Sequence, residues 1–320
     1  MVDVLLILDG ASEPVGAGPT SLERARTPVL DRLAREGALA RARTVAPGLP
    51  AGSESAIPAL LGWTPPAKID RGAVEAAARG VAPGPGERAW RVDSLGPDGR
   101  RAGERRAAEA AQELVRHLPQ HRVLRLAGHR LLVCGPPPLP ALPAGLRAWP
   151  EGAVPPRILD ESTTLIAAAG AAAGLGRLIG ARVVVPAGAT GRPDTDLAGK
   201  APAGVHAAGE GAARVVVHVG GPDEAAHERD GAAKVAAIER ADRELLAPLV
   251  RVVQECGGTL RVCPDHGCDP RTGEHDRSPV PSLRWTPADH GDDPAARLTE
   301  RAVASLPVRD PLAVAEVPVA

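Results

Sequence analysis

Val2–Leu8 is an apolar run that ends in Asp9-Gly10. Such a run predicts a parallel strand buried on both faces, with function at its carboxyl end. Three later runs repeat the theme: Ala181–Val185, Arg214–Val219 and Thr259–Cys263. Each is short and β-branched, and each is followed by Gly, Pro or Asp. Helical spacing lies between them. Thr27–Glu36 predicts an amphipathic helix with Thr27 as N-cap and Pro28 at N1. Further helices are predicted over Glu54–Leu61 and 104–118, and one long amphipathic helix over Ala232–Cys256. Thr163–Ile179, with many small residues, also follows a helical pattern, and Val123–Val133 predicts a strand pair. Pro47–Gly52 is a tight loop. No internal repeat is present.

This β-α-β alternation implies an α/β fold: a mostly parallel sheet flanked by helices. Two stretches interrupt it. Residues 81–103 are rich in Gly, Pro and Arg, and 135–157 are Pro-rich and irregular. The expected organisation is a core formed by 1–83 and 158–320, with 84–157 as a small inserted cap. A ligand is expected between them, at the carboxyl ends of the strands.

Composition adds three limits. Of the 320 residues, 44% are hydrophobic, so a sizeable core is available, but there is no Phe and no Tyr. Ala, Val, Leu and Ile must fill the core, with four Trp for bulk. There is no Asn and only three Lys, the rest of the cations being Arg. That is the mark of a GC-rich genome and removes weight from arguments based on Arg or Ala abundance. A net charge of -1 without a basic tract leaves out the footprint of nucleic-acid binding. No run of 18 apolar residues marks a membrane span, and the first residues lack the basic region of a signal peptide. Cys134, Cys256, Cys263 and Cys268 are few for this length, which points to a reducing, cytoplasmic setting.

The chemistry gathers at strand ends. Asp9 follows the first run, Asp223 and His227 follow Val215–Val219, and Asp265-His266 follow the run ending at Cys263. His275 lies a little further on. In a parallel sheet these ends share one edge, and the four-residue spacing of Asp223 and His227 puts both on one face of a helical turn. A lone strand-end Asp is more often a turn or cap residue, and a lone His more often a satisfied surface or core residue. Three strands ending in potential ligands are another matter. Mixed carboxylates and imidazoles suit Mn²⁺ or Zn²⁺, and Mg²⁺ less. Cys263 and Cys268 bracket Asp265-His266, but C-x4-C without a second pair is read as two buried neutral thiols.

The order Asp, Ser, DxxxH, DH, H resembles that of the cofactor-independent phosphoglycerate mutases of the alkaline phosphatase superfamily, in their shorter archaeal-type branch. The matching stretches are LLILDG, PGLPAGSESAIPALLGWTP, DRGAVEA, PAGATGRPDTDLAGKA, VHVGGPDEAAHERD and PDHGCDPRTGEHDRSPVP. The resemblance implies two divalent ions, one held by Asp223, His227 and His275, the other by Asp9, Ser53, Asp265 and His266. It implies Ser53 as nucleophile, with Ser55 the competing candidate. Lys200 would serve the phosphate and acid–base chemistry, and Arg71 the substrate side; His121, Arg122 and Arg101 are further candidates from the insert. The implied reaction interconverts 2- and 3-phosphoglycerate through a phosphoserine. The substrate is then a small phosphorylated carboxylate, and the oligomeric state is left open. The Pro-rich stretch at about 135–160 replaces longer insert structure. This keeps two alternatives: a phosphatase or mutase for another phosphate or phosphonate ester, and an inactive metal- or ligand-binding homologue.

Overall fold

A computed structural model describes residues 1–126 and 128–311. In chain order the first elements are β1 (Val2–Leu8), α1 (Ser21–Arg24), α2 (Pro28–Glu36), β2 (Ala38–Ala42) and α3 (Ser53–Leu61). There follow α4 (Arg71–Ala78), β3 (Arg88–Ser94), α5 (Glu104–His117), β4 (Arg122–Arg125), β5 (Arg130–Gly135) and β6 (Leu146–Ala148). Next come β7 (Thr163–Ile166), α6 (Ala171–Ile179), β8 (Arg182–Val184), α7 (Lys200–Gly209) and β9 (Arg214–Val219). Then α8 (Gly221–His227), α9 (Gly231–Ala241), a π-helical turn at Asp242–Leu246 and α10 (Ala247–Cys256). The last strands are β10 (Gly258–Cys263), β11 (Gly267–Asp269), β12 (Glu274–Asp276), β13 (Val280–Trp285) and β14 (Val308–Arg309).

The elements form two units. One comprises Met1–Pro65 and the chain from Pro155 onward; the other is Pro66–Val154. Residues 312–320 of the expected core, and Ala127 within the expected strand pair, lie outside the described residues.

The larger unit holds an eight-stranded sheet in the order β14-β2-β13-β10-β1-β9-β7-β8. Only β13 runs against the others, so the sheet is mostly parallel. β1 lies at its centre, paired in parallel with β9 and β10, and Ile7 sits between His218 and Cys263. Its residues are buried on both faces, as the apolar run requires. The core contains no Phe or Tyr; Leu6, Leu8, Val217, Leu245, Leu249 and Val262 are among the side chains that fill it. Trp285 adds bulk and donates from its indole to Glu36 Oε2 at 2.9 Å.

Two helix predictions need correction. Thr163–Ile166 is a strand, with the helix starting only at Ala171. The β-branched Thr163-Thr164 pair and Leu165-Ile166 are buried between β8 and β9, so tertiary pairing overrides the helical spacing. The helix expected over Ala232–Cys256 is broken into α9 and α10 by the π turn, with Pro248 just beyond it. Proline cannot supply the N–H that a regular turn needs. The turn carries Asp242, which accepts from the backbone N–H of Val29 at 3.2 Å and Leu30 at 2.7 Å. Asp242 thus caps α2 from a distance, whereas the Thr27 hydroxyl donates to Asp31 instead.

The smaller unit is an antiparallel sheet, β4-β5-β3-β6, with one helix on each face. Alternate residues serve the two faces. Trp90, Val92, Leu131 and Val133 meet α5 through Ala110 and Leu114; Ala89, Leu132 and Cys134 meet α4 through Ala76. α4 approaches so closely that a Cβ on Gly72 would lie 2.0 Å from the Ala89 carbonyl. This packing is why the unit begins before residue 84. It also explains how a Gly- and Arg-rich stretch can hold the strand β3. Trp149 lies under two guanidinium groups, Arg71 at 5.1 Å and Arg91 at 4.9 Å from the ring centre, and donates to Asp93 Oδ2 at 2.9 Å.

One backbone position in the larger unit carries the site directly. Gly10 follows β1 with φ +60°, and a Cβ there would stand 2.4 Å from Asp223 Oδ1 and 2.7 Å from Asp223 Cβ. Gly10→Ala is expected to cost about 1–3 kcal/mol from backbone strain and to displace Asp223. Denaturant unfolding and metal analysis of the variant check this; wild-type stability together with full metal binding would contradict it.

Candidate metal centre and active site

The parallel register sets the site. Leu8 of β1 pairs with Val219 of β9, and Ile7 pairs with Cys263 of β10, so the three strands end on one edge. Asp9, the 220–223 turn into α8, and Asp265-His266 all leave from that edge. Gly10 N–H and His266 N–H both donate to Asp265 Oδ1, at 3.1 and 2.9 Å, which fixes that carboxylate.

Six predicted ligands and Ser53 come together here. His227 Nε2 is 3.2 Å from Asp223 Oδ2, and His275 Nε2 is 3.4 Å from Asp223 Oδ1. His266 Nε2 is 3.2 Å from Asp9 Oδ1 and 3.6 Å from Asp265 Oδ2. Ser53, the first residue of α3, donates from Oγ to Asp9 Oδ1 at 3.1 Å. Ser55 faces away and donates to the Pro50 carbonyl at 2.9 Å. Three sets of donors lie within 4.8 Å of one another: Asp223, His227, Cys268 and His275; Asp9, Asp223 and His266; and Asp9, His218 and Asp265.

These groups fit a divalent ion on their own chemistry. His227 Nδ1 lies 2.8 Å from the Gly273 carbonyl, His275 Nδ1 3.0 Å from that of Ala51, and His266 Nδ1 3.0 Å from that of Gly267. A carbonyl only accepts, so each ring in its neutral form, the form that binds a metal, carries its proton on Nδ1 and turns the Nε2 lone pair inward. The Nε2 atoms of His227 and His275 then face each other at 2.9 Å. Asp223 Oδ1, Asp265 Oδ2, His218 Nε2 and His266 Nε2 are buried without a hydrogen-bond partner. Lone pairs converging in this way, with carboxylates between them, call for a cation.

Titration follows the crowding. Burial and Asp223 push the Asp9 carboxyl up, but the His218 and His266 imidazoles outweigh them and hold it at about 2. Asp265 is pushed up to about 6 by burial and by the charge on Asp9. Burial pulls His266 down, yet Asp265 and Asp9 raise it to about 10, and the contact with Asp223 raises His227 to about 9.

Two predicted residues stand differently. Lys200 is fully buried and donates to the His218 carbonyl at 2.7 Å. Burial lowers its pKa to about 8, against the pull of Asp9. Arg71 belongs to the smaller unit, at the start of α4, where burial and then Arg91 lower its pKa to about 10. Arg91 pairs with Asp93 at 3.0 Å and lies 3.4 Å from Glu75, which Arg130 also approaches at 3.7 Å. His129 stands 3.7 Å from Asp93, its pKa lowered first by burial, with Arg101 among the charges acting on it. Arg122 pairs with Glu87, and His121 lies 3.2 Å from the Pro136 carbonyl. Sequence reading missed His218, whose Nε2 is 3.2 Å from Asp9 Oδ2; it sits inside a strand run, where a core histidine leaves no signal. It also missed Lys234, fully buried and bonded to the Ser12 and Cys268 carbonyls and to Glu13. The rarity of Lys in this chain was the available clue.

The profile of the metalloenzyme superfamily matches residues 1–306. A protein of Methanothrix thermoacetophila named 2,3-bisphosphoglycerate-independent phosphoglycerate mutase is 30% identical, over 87% of this chain and 89% of its own length. The chain belongs to this mutase family, within the metalloenzyme superfamily. A mutase of the same name from Ignicoccus hospitalis is also 30% identical, over 94% of this chain and 92% of its own. Its alignment runs over 390 positions against a chain of 320, so that relative carries residues this family member lacks. For the fold, the PH0037 protein from Pyrococcus horikoshii matches with a TM-score of 0.80 and 21% identity, over 98% of this chain and 95% of its own. The cofactor-independent phosphoglycerate mutase from Thermoplasma acidophilum matches at 0.62 and 19%, over 99% and 98%. Among the described residues no helix is long and apolar enough to cross a membrane.

Metal and protons compete for the same imidazoles. In the metal-free protein the Asp223 contact raises His227 to about 9, and Asp265 and Asp9 raise His266 to about 10 against its burial, both from the ordinary imidazole value near 6.5. Their contribution to stability is therefore full below about pH 6.5 and is lost as pH rises through 9 to 10. Metal binding gains over the same range. The melting temperature of the Mn²⁺-loaded protein minus that of the EDTA-treated protein should rise with pH. A difference that is flat from pH 6 to 9 would contradict this assignment.

Proposed function

We propose that this mutase-family chain interconverts 2- and 3-phosphoglycerate by way of a phosphoserine on Ser53, with two divalent ions, Mn²⁺ first among the candidates. The observation that carries this reading is the Ser53 Oγ contact to Asp9 at 3.1 Å, beside converging donors, while Ser55 is committed to a backbone carbonyl. The setting expected for such an enzyme is the cytoplasm.

Two divalent ions held by Asp223, His227 and His275 and by Asp9, Ser53, Asp265 and His266 would make the Ser53 alkoxide accessible near neutral pH and neutralise phosphoryl oxygens. The chain's own groups do the rest. Asp9 accepts the Ser53 hydrogen bond and so orients Oγ for attack. Oγ loses its proton and forms the new bond to phosphorus, while the glycerate oxygen takes the electrons of the broken P–O bond and gains a proton, so that a hydroxyl is released. The freed glycerate then presents its other hydroxyl, which attacks phosphoserine and restores Ser53. Lys200, with a pKa lowered to about 8, can release and regain a proton in the working range of pH. We assign Arg71 to the substrate side, as a cation for the carboxylate or phosphate of the substrate.

The shorter chain favours a second reading, in which water rather than the glycerate hydroxyl takes the phosphoryl group. Keeping water out is what makes a mutase of a phosphatase mechanism. Phosphorus NMR of the Mn²⁺-loaded protein with 3-phosphoglycerate separates the two: the isomer supports the mutase, and inorganic phosphate alone supports the hydrolase.

Ser53→Ala should lower turnover by several orders of magnitude, as nucleophile deletions do, while leaving the fold in place. Ser55→Ala should keep most activity and lose about 1 kcal/mol of stability with its hydrogen bond. Acid quench of wild type with substrate, followed by peptide mass spectrometry, should place phosphate on Ser53. Phosphohistidine, or normal turnover by Ser53→Ala, would overturn the mechanism.

A further inference from the structure

The donors around Asp223 include a sulfur that the metal-ligand pattern in the sequence does not contain. β11 and β12 pair antiparallel, with Cys268 directly opposite His275. Residues opposite one another in such a pair project from the same face. Cys268 Sγ accordingly joins the ligand atoms of Asp223, His227 and His275, all within 4.8 Å of one another. Ligands bound at about 2.0–2.3 Å around one tetrahedral ion are separated by distances of this order or less.

The cysteine is held at that position. It is fully buried, its N–H donates to the Ser12 carbonyl at 2.8 Å, and its carbonyl accepts from Lys234 Nζ at 2.6 Å. The site it borders shows an unmet demand of its own. Asp223 is 8% exposed, and its Oδ1 is buried without a hydrogen-bond partner. The Nε2 atoms of His227 and His275 confront each other at 2.9 Å with both Nδ1 atoms engaged by carbonyls. Two imidazole nitrogens, a carboxylate oxygen and a sulfur make a complete four-donor set.

We propose that Cys268 is a fourth protein ligand at the Asp223–His227–His275 centre, and that this centre selects a soft divalent ion such as zinc or cobalt over manganese or magnesium. The inference rests on the two-ion reading given above. On binding, the S–H bond breaks, the proton passes to solvent and sulfur bonds the ion, so charge and atoms balance without any redox partner. The other centre of that reading, from Asp9, Ser53, Asp265 and His266, contains no sulfur. Thiolate favours softer ions and carboxylate harder ones, so the two centres differ in preference and the protein takes up a mixed pair.

Cobalt reports on the sulfur directly. The EDTA-stripped full chain reloaded with Co²⁺ should bind two ions and show a near-ultraviolet thiolate-to-cobalt charge-transfer band. Cys268→Ser should abolish that band, keep the visible cobalt bands and weaken Zn²⁺ binding about 10-fold or more, by analogy with losses at supporting residues of metal sites. Cys256→Ser, an exposed cysteine, is the control and should leave the band unchanged. Two bound Co²⁺ ions without the band, or a band that survives Cys268→Ser, would overturn the proposal while leaving the two-ion reading intact. Failure to bind cobalt at all would overturn both. Should the serine variant not fold, zinc-edge X-ray absorption of the wild type decides: a sulfur at about 2.3 Å supports the ligand, and a fit with nitrogen and oxygen alone removes it.

Discussion

Three carboxylates, those of Asp9, Asp223 and Asp265, are buried at the end of one sheet, and their mutual repulsion is the constraint that the surrounding structure answers. Buried like charges cannot all ionise without compensation. Asp265, pushed up to about 6 by burial and then by the charge on Asp9, records that strain, and the raised imidazoles of His227 and His266 record the response to it. Nearly every polar feature nearby serves the same balance. Backbone N–H groups hold Asp265, carbonyls set the tautomers of three histidines, and Lys200 lies buried behind the edge. A cation is the natural completion, which is why membership in a metalloenzyme family and the geometry agree.

The sheet delivers these groups because parallel strands have no choice about where they end. β1 between β9 and β10 brings Asp9, Asp223 and Asp265 to one edge although they lie far apart in sequence. This part was legible without a structure: apolar runs closed by acidic residues announce both the strands and their functional ends. The edge-side strands were not legible. β2, β13 and β14 are short or mixed in polarity, and their partners are remote, so the residues alone carry no pairing signal. Thr163–Ile166 failed for a related reason, since a four-residue strand running into an Ala-rich helix shares its small-residue spacing.

Side chains inside regular elements were the other blind spot. His218 looks like one more position in a buried strand, and only its approach to Asp9 separates it from a core histidine. Cys268 is buried as the sequence leads one to expect, but its place opposite His275 across the β11–β12 pair carries no signal in its spacing from Cys263. The smaller unit shows the same limit. Its extent depends on α4 packing against β3, a contact that composition cannot reveal because α4 is rich in Ala and meets β3 through Gly72 and Ala76.

The absence of tyrosine and phenylalanine turns the four indoles into a partitioned optical label. Trp63 and Trp285 belong to the larger unit, Trp90 and Trp149 to the smaller. Trp149 lies beneath the guanidinium groups of Arg71 and Arg91, and nearby cations quench or shift indole emission. An anion that draws either arginine off the ring would change the light that ring emits. Trp149 emission therefore gauges whether Arg71 and Arg91 stay on the ring, read without a dye and without a tyrosine background.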